Sequence, residues 1–372
     1  MAAIQEICAR LGRVTGAGIA ANLRQHYPKP VLFAAVTLLC AANVFNLGAD
    51  ITAIGAAARL VFGGNLNVYA VGFGVLSIFL QVYLPYRRYV RYLKWLTLAL
   101  FAYVGTVFVV HVPWSAVLHA TFVPALSWSE GYSMALVAVL GTTISPYLFF
   151  WQASEEAEEI RMVRDESALK RKPQQASAQL RRIAFDTRIG MAFSNLIAFF
   201  IILTAAMTIH VKSSARTIQT AADAAQALEP LAGHLAFLLF ALGIIGTGLL
   251  AIPVLAGSAA YGVGEAFRWR ASLENKPHQA PKFYLVIAAA TAIGLLINFA
   301  GLDPMRALYW SAIVNGIAAA PLMVMLMIMS ASRSVVREFT LPLYLRALGW
   351  TASAVMFIAS LLFLLNTARA WH

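Results

Sequence analysis

Between Gly141 and Glu159 the chain reads GTTISPYLFFWQASEEAEE, an apolar stretch with a glycine, three hydroxyls and a proline that runs into four carboxylates. A proline within a membrane helix removes a backbone hydrogen bond and exposes carbonyls, which is tolerated only where protein or a water-filled cavity satisfies them. Pro146, preceded by Gly141, Thr142, Thr143 and Ser145, fits two arrangements. In one, two half-helices meet at unwound backbone whose carbonyls and hydroxyls coordinate a cation near the bilayer midplane. In the other, a proline-kinked packing helix bonds its hydroxyls back onto its own turns. The glutamates read as a solvated helix end at the cytoplasmic exit.

Asp50 stands in the apolar string NLGADITAIGAA with no basic residue one turn away. Arg59, nine positions on, falls on the opposite helix face at about 100° per residue. An unpaired carboxylate in a membrane span points to a proton carrier or an ion ligand. Its depth is open, because the apolar run continues from Val31 to Phe62. Asn195, Asn298 and Asn315 lie within apolar runs and read first as interhelical hydrogen bonds, with Asn315 also a candidate for a polar pathway. The small residues of Gly243–Ala266, around Thr247, Pro253 and Ser258, read as close helix packing. Cys8 and Cys40 form no CxxC, and His111, His119, His210 and His234 show no metal-ligand spacing. No HExxH and no nucleophile–base pair suggests an enzyme.

The elements that must position these residues are legible in the composition. Of 372 residues, 60% are hydrophobic and only 12% charged, too few to cover a soluble protein of this size. Apolar runs predict nine spans: Pro30–Thr52, Val68–Leu84, Leu93–Val112, Ser133–Trp151, Ile189–Ile209, Leu235–Val263, Phe283–Ala300, Ala307–Ser330 and Leu348–Leu365. Met1–Arg10 lacks the layout of a signal peptide. Basic residues cluster in alternate loops, including Arg10 to Lys29, Arg87 to Lys94, Arg161 to Arg188, Arg268 to Lys282 and Arg333 to Arg346. The positive-inside rule makes those loops cytoplasmic and puts the C-terminus outside. The net charge of +12 is thus a topology signal, and no nucleic-acid partner is expected. Trp114, Trp128, Trp269 and Trp350 sit where interfacial anchors belong. Gln152–Asp186 reads as a partly helical cytoplasmic connector.

With those features in place the chain resembles the Nramp-type divalent metal transporters. GTTISPYLFFWQAS is similar to that family's sixth-helix signature. IQEICARLGRVTGAGIAANLRQHYP resembles the end of its second helix, and GADITAIGAA its third. The resemblance implies an all-α, inverted-repeat, LeuT-like bundle of the amino acid–polyamine–cation superfamily. It implies a chain truncated at its N-terminus, since the family's first helix has no counterpart here. It divides the chain into a partial helix and loop (1–29), the rest of a first repeat (30–112), an external loop (113–132), a second repeat (133–330, with a cytoplasmic loop 152–186) and a last span (331–372).

The function it implies is secondary transport of divalent cations, Mn2+- or Fe2+-like or Mg2+, linked to protons, across a bacterial cytoplasmic membrane. The metal is cargo, and no resident cofactor is implied. Thr142 would offer a backbone carbonyl, and Ser145 would stand where the family has a methionine ligand. Pro146 would keep the break, Tyr147 replaces a histidine, and Asp50 would match a carboxylate on the proton route. A hard oxygen at Ser145 in place of a thioether predicts weaker discrimination against Mg2+. Two alternatives stay open: a carrier of an organic substrate such as an amino acid, and a non-transporting remnant that lacks the first helix.

Overall fold

The computed structural model describes residues 1–84, 91, 93–123, 129–163, 165–210, 218, 220–273, 275–301 and 303–370. Arg87, Arg88, Trp128, Lys212 and Arg216 lie outside the described residues.

The chain starts with two short helices, α1 (Ala2–Thr15) and α2 (Ile19–His26). Gly16 ends α1 in the left-handed conformation, with φ 68° and its N–H on the Gly12 carbonyl, a turn that glycine makes at no steric cost. Then α3 (Lys29–Phe62) runs for 34 residues and stops at Gly63 and Gly64, both with positive φ. At 1.5 Å per residue it is about 51 Å long, well over the hydrocarbon thickness. The predicted span Pro30–Thr52 was too short because Asp50 and the alanines after it dilute the apolar signal without breaking the helix.

The remaining α-helices of nine residues or more are α4 (Leu66–Tyr83), α5 (Phe101–Val109), α6 (Trp114–Phe122), α7 (Glu130–Thr143), α8 (Pro146–Met162), α9 (Ala176–Ala205), α10 (Ala236–Ala266), α11 (Pro281–Asn298), α12 (Pro304–Ala331) and α13 (Leu343–Ala370). Every regular element among the described residues is helical. Among the described residues eight stretches are long and apolar enough to cross a membrane, with α7 and α8 counted together as one, Gly131–Met162, and nine if the bent pair Leu96–Val109 and Trp114–Phe122 is one span.

Leu93–Val112 does not form the straight span expected. A 3-10 turn over Leu96–Leu100 leads into α5, which ends at Val109, and the chain bends by 119° into α6. Pro113 supplies the reason: it disfavours helix at the residue before it and pre-sets the first turn of the next helix. The stretch expected to be an external loop from 113 therefore carries a helix, Trp114–Phe122.

The connector Gln152–Asp186, expected to be partly helical, is helical at both ends. Helix α8 runs on to Met162 and α9 begins at Ala176, which leaves 163–175 as the connector. Its acidic start is not the solvated helix end expected, because Glu156 and Glu158 are buried.

Helix α3 is the spine. Its flanks pack on α10, α11, α12 and α4, while α12 also covers α7, and α1 lies along α8. One apolar cluster joins α1, α2 and α3 to Phe149, Phe150 and α12; a second joins Leu47, Ile51 and Ile54 to α10 and α11. The interrupted span α7–α8 is thus held between α12 on one side and α1 and α10 on the other.

Candidate functional site

The helix break lies where Pro146 requires it. Thr143 closes α7, Ile144 and Ser145 leave helical geometry (φ −122°, ψ 76° and φ −97°, ψ 137°), and Pro146 opens α8 at a position that needs no N–H. Ser145 is buried, and its hydroxyl donates to the Gly141 carbonyl at 2.7 Å. That bond caps a carbonyl at the end of α7 and leaves the serine lone pairs uncommitted. Thr142 is exposed and its hydroxyl donates to Ala138 and Val139 carbonyls, both at 2.9 Å. Thr143 bonds back in the same way to Val139 and Leu140, at 3.0 Å each. The threonine hydroxyls therefore adopt the back-bonded pattern while the backbone adopts the discontinuous one. Carbonyls at the end of α7 carry the negative end of its dipole, which suits a cation.

Gly141 is buried in the last turn of α7 rather than in the break. A Cβ there would lie 2.0 Å from the Ala312 carbonyl oxygen and 2.6 Å from the Gly316 nitrogen, both backbone atoms of α12. Gly141→Ala is expected to push the helices apart and lower thermal stability by about 1–3 kcal/mol; an unchanged melting curve in detergent would count against this packing.

Asp50 lies twelve residues before the end of α3 at Phe62, about 18 Å along the helix. That distance places it well inside the helix rather than at its end. It is half-buried, with no hydrogen bond or ion pair to its carboxylate among the described residues. Asp50 belongs to α3 and Tyr147 to the first turn of α8, two helices that pack against each other. Tyr147 is anchored there because its carbonyl accepts from Ser258 of α10 at 2.9 Å. Asn315 is buried on α12, directly before the glycine that packs on Gly141, and its Oδ1 has no partner among the described residues. Asn298 makes the interhelical bond expected, to Asn67 at 3.0 Å. Asn195 does not: it is exposed and bonds its own helix at Met191. Among the described residues no group of three or more His, Cys, Asp or Glu could hold a metal ion. A cation at the break would therefore meet carbonyls and hydroxyls rather than a cluster of such side chains.

Two clusters next to α8 were not legible from the sequence. Arg13 of α1 is 1% exposed and pairs with Glu156 at 2.9 Å, with Glu159 at 2.7 Å and with Glu166. Arg182 of α9 holds Glu159 from the other side at 2.7 Å. Glu265, at the end of α10, accepts from Ser154 at 2.9 Å and from the Ala21 N–H of α2 at 3.0 Å. It caps a helix whose N-cap, Gly18, has no side chain, and a Cβ at Gly18 would lie 2.1 Å from that carboxylate. Alternating charge in a basic loop was the only signal, and it does not say which residues meet.

The family model described as natural resistance-associated macrophage protein-like, Nramp, matches residues 1–366. The chain belongs to the Nramp family. Among curated Nramp-type relatives, the divalent metal cation transporter MntH of Klebsiella pneumoniae subsp. pneumoniae is 27% identical over 370 residues, covering 95% of this chain and 80% of that protein. The protein of the same name from Klebsiella pneumoniae strain 342 is 26% identical, with the same coverage. A crystal structure of a histidine-to-alanine variant of the Eremococcus coleocola manganese transporter superposes with a TM-score of 0.76 at 15% identity, over 98% of this chain and 77% of that one. MHP1, a nucleobase-cation-symport-1 family transporter in a closed conformation, superposes with a TM-score of 0.54 at 16% identity, over 100% of this chain and 82% of its own. This Nramp-family chain thus has the LeuT-like, all-helical transporter fold.

Proposed function

We propose that this Nramp-family protein carries divalent metal cations across a membrane, holding the ion at the break between α7 and α8. The observation that carries the proposal is the backbone interruption at Ile144–Ser145, deep in a span, beside a buried serine oxygen. Unwound backbone at that depth persists only where protein or a cavity satisfies it, and cation coordination is the use to which carriers put it. The family and the printed function of its Klebsiella relatives, divalent metal transport, point the same way. The ligands are the Thr142 carbonyl and Ser145 Oγ, with Asn315 as a further oxygen and Asp50 as the proton or ion carrier on the route to Tyr147. Their oxygen chemistry suits Mn2+ and Mg2+. The repeats run over 30–112 and 133–330, and positive-inside loops orient the chain in a bacterial cytoplasmic membrane with its C-terminus outside.

Purified protein in liposomes is expected to take up Mn2+ down its gradient, faster when the outside is acidified. Asp50→Asn should cut that uptake severalfold and flatten the dependence on the proton gradient. Uptake no greater than in protein-free liposomes would overturn the proposal, and full uptake with intact proton dependence in Asp50→Asn would remove Asp50 from the route.

A further inference from the structure

A pocket of about 480 Å3 opens between α1, α9 and α13, lined by Ala2, Ala3, Arg188, Tyr344 and Leu348, with Glu6 buried behind them. Helices α9 and α13 both pack on α1 but make no comparable contact with each other among the described residues, so a gap is left between them. Its depth follows from the sequence of the two helices. Arg188 directly precedes the apolar run Ile189–Ile209, and Tyr344 lies four residues before the run Leu348–Leu365. The pocket therefore straddles the level at which both helices pass from polar to apolar surroundings, which is the level of lipid headgroups. Leu348, 54% exposed, supplies the apolar part of the lining.

A buried carboxylate fixes the arginine. Glu6 is 1% exposed; its Oε2 accepts from Arg188 Nε at 3.1 Å and its Oε1 from the Tyr344 hydroxyl at 3.2 Å. Arg188 Nη2 donates to the same hydroxyl oxygen at 2.8 Å, and the guanidinium lies over the Tyr344 ring, 5.4 Å from its centre. Nη1 and the second Nη2 N–H make no bond among the described residues, and the Arg188 side chain is 53% exposed. These are donors of fixed direction, and two oxygens of a phosphodiester can accept from them together. The charges point the same way. Glu6 also faces Arg10 Nη1 at 3.9 Å, so one carboxylate is set against two guanidiniums. Asp186, two residues before Arg188, falls on the far side of α9 at about 100° per residue. One positive charge is thus left over at the pocket.

We propose that this pocket binds an anionic phospholipid, with its phosphate on Arg188 and an acyl chain against Leu348. Basic pockets between membrane helices hold such headgroups, and here the basic group is oriented from behind by Glu6 rather than free on the surface. The site lies apart from the α7–α8 break and does not rest on the transport reading.

Delipidated protein in neutral detergent is expected to gain melting temperature saturably with phosphatidylglycerol, and much less with phosphatidylcholine, which has no net charge. Arg188→Gln should weaken phosphatidylglycerol binding by about tenfold, as loss of a charge-assisted pair does. That substitution also takes a partner from Glu6, so the shift on adding lipid is compared rather than the absolute melting temperature. Leu348→Ser leaves the charged groups in place and should weaken the lipid as well, which keeps the test open if Arg188→Gln does not fold. Arg346→Gln removes another exposed basic residue of α13 and should bind like the parent. Glycerol 1-phosphate, the headgroup chemistry without acyl chains, should not reproduce the stabilisation. Equal shifts with the two lipids, an equal loss in Arg346→Gln and Arg188→Gln, or full stabilisation by glycerol 1-phosphate would each overturn the proposal.

Discussion

Arg13→Ala is expected to destabilise the protein by about 3–5 kcal/mol, seen as a large fall in melting temperature or as loss of the monodisperse peak in detergent. Arg13 is almost wholly buried, and its guanidinium faces Glu156, Glu159 and Glu166, with Arg182 as the other cation of the group. Without Arg13, Glu156 and Glu159 would share one arginine that is itself partly exposed, and Glu166 would be left with the Gln179 amide. The backbone adds to the junction, since the Arg13 and Val14 carbonyls accept from Leu169 and Lys170 at 3.1 and 3.2 Å. The cluster therefore ties α1, the 163–175 connector, α8 and α9 together at the end of the span that contains the break. Arg13→Lys should recover only part of the loss, because an ammonium cannot reproduce the planar fork that meets three carboxylates. Arg13→Met with Glu156→Gln should be more stable than Arg13→Met alone, since it removes one of the charges left unpaired. A melting temperature for Arg13→Ala within a degree or two of the parent would show that the carboxylates are neutralised by something else.

That cluster also marks the limit of what the sequence tells. Apolar runs of about 20 residues locate most of the helices, because burial in lipid needs only length and composition. Pro146 is legible as a break because the missing N–H is a property of one residue. Arg13 and Glu156, in contrast, are 143 positions apart, and charge in a basic loop reads as solvated until its partner is known. The same neutralisation lets α8 run on to Met162 through glutamates that look like a helix end. Leu93–Val112 is part of a bent pair of helices rather than one continuous helix for a local reason, since hydropathy counts apolar residues but does not register the turn that Pro113 imposes. Within the candidate site, Ser145 and Pro146 could be read from residue type and order. The role of Gly141 against Ala312 and Gly316 could not, because close approach is a property of two helices at once.

Ser145→Met is expected to raise the ratio of Mn2+ to Mg2+ uptake on the order of tenfold or more. The proposed ligands are all hard oxygens, and oxygen ligands do little to separate Mn2+ from Mg2+. A thioether is soft and favours the transition metal, so one substitution changes the chemistry of the site without changing its charge. Ser145 is the position to test because its hydroxyl proton is directed at Gly141 at 2.7 Å, which leaves only its lone pairs to face an ion. Substitution also removes the cap on that carbonyl and places a larger side chain in a buried position, so total flux is expected to fall. The ratio of two ions competing in one preparation is insensitive to that loss, and it is the quantity to measure. Ser145→Ala serves as the control: it removes the cap without adding sulfur, and should lower flux for both ions while leaving the ratio near that of the parent. If folded, active Ser145→Met and Ser145→Ala give the same ratio as the parent, no ion touches residue 145 during transport, and the ligands must be sought elsewhere along the path between Asp50 and Asn315.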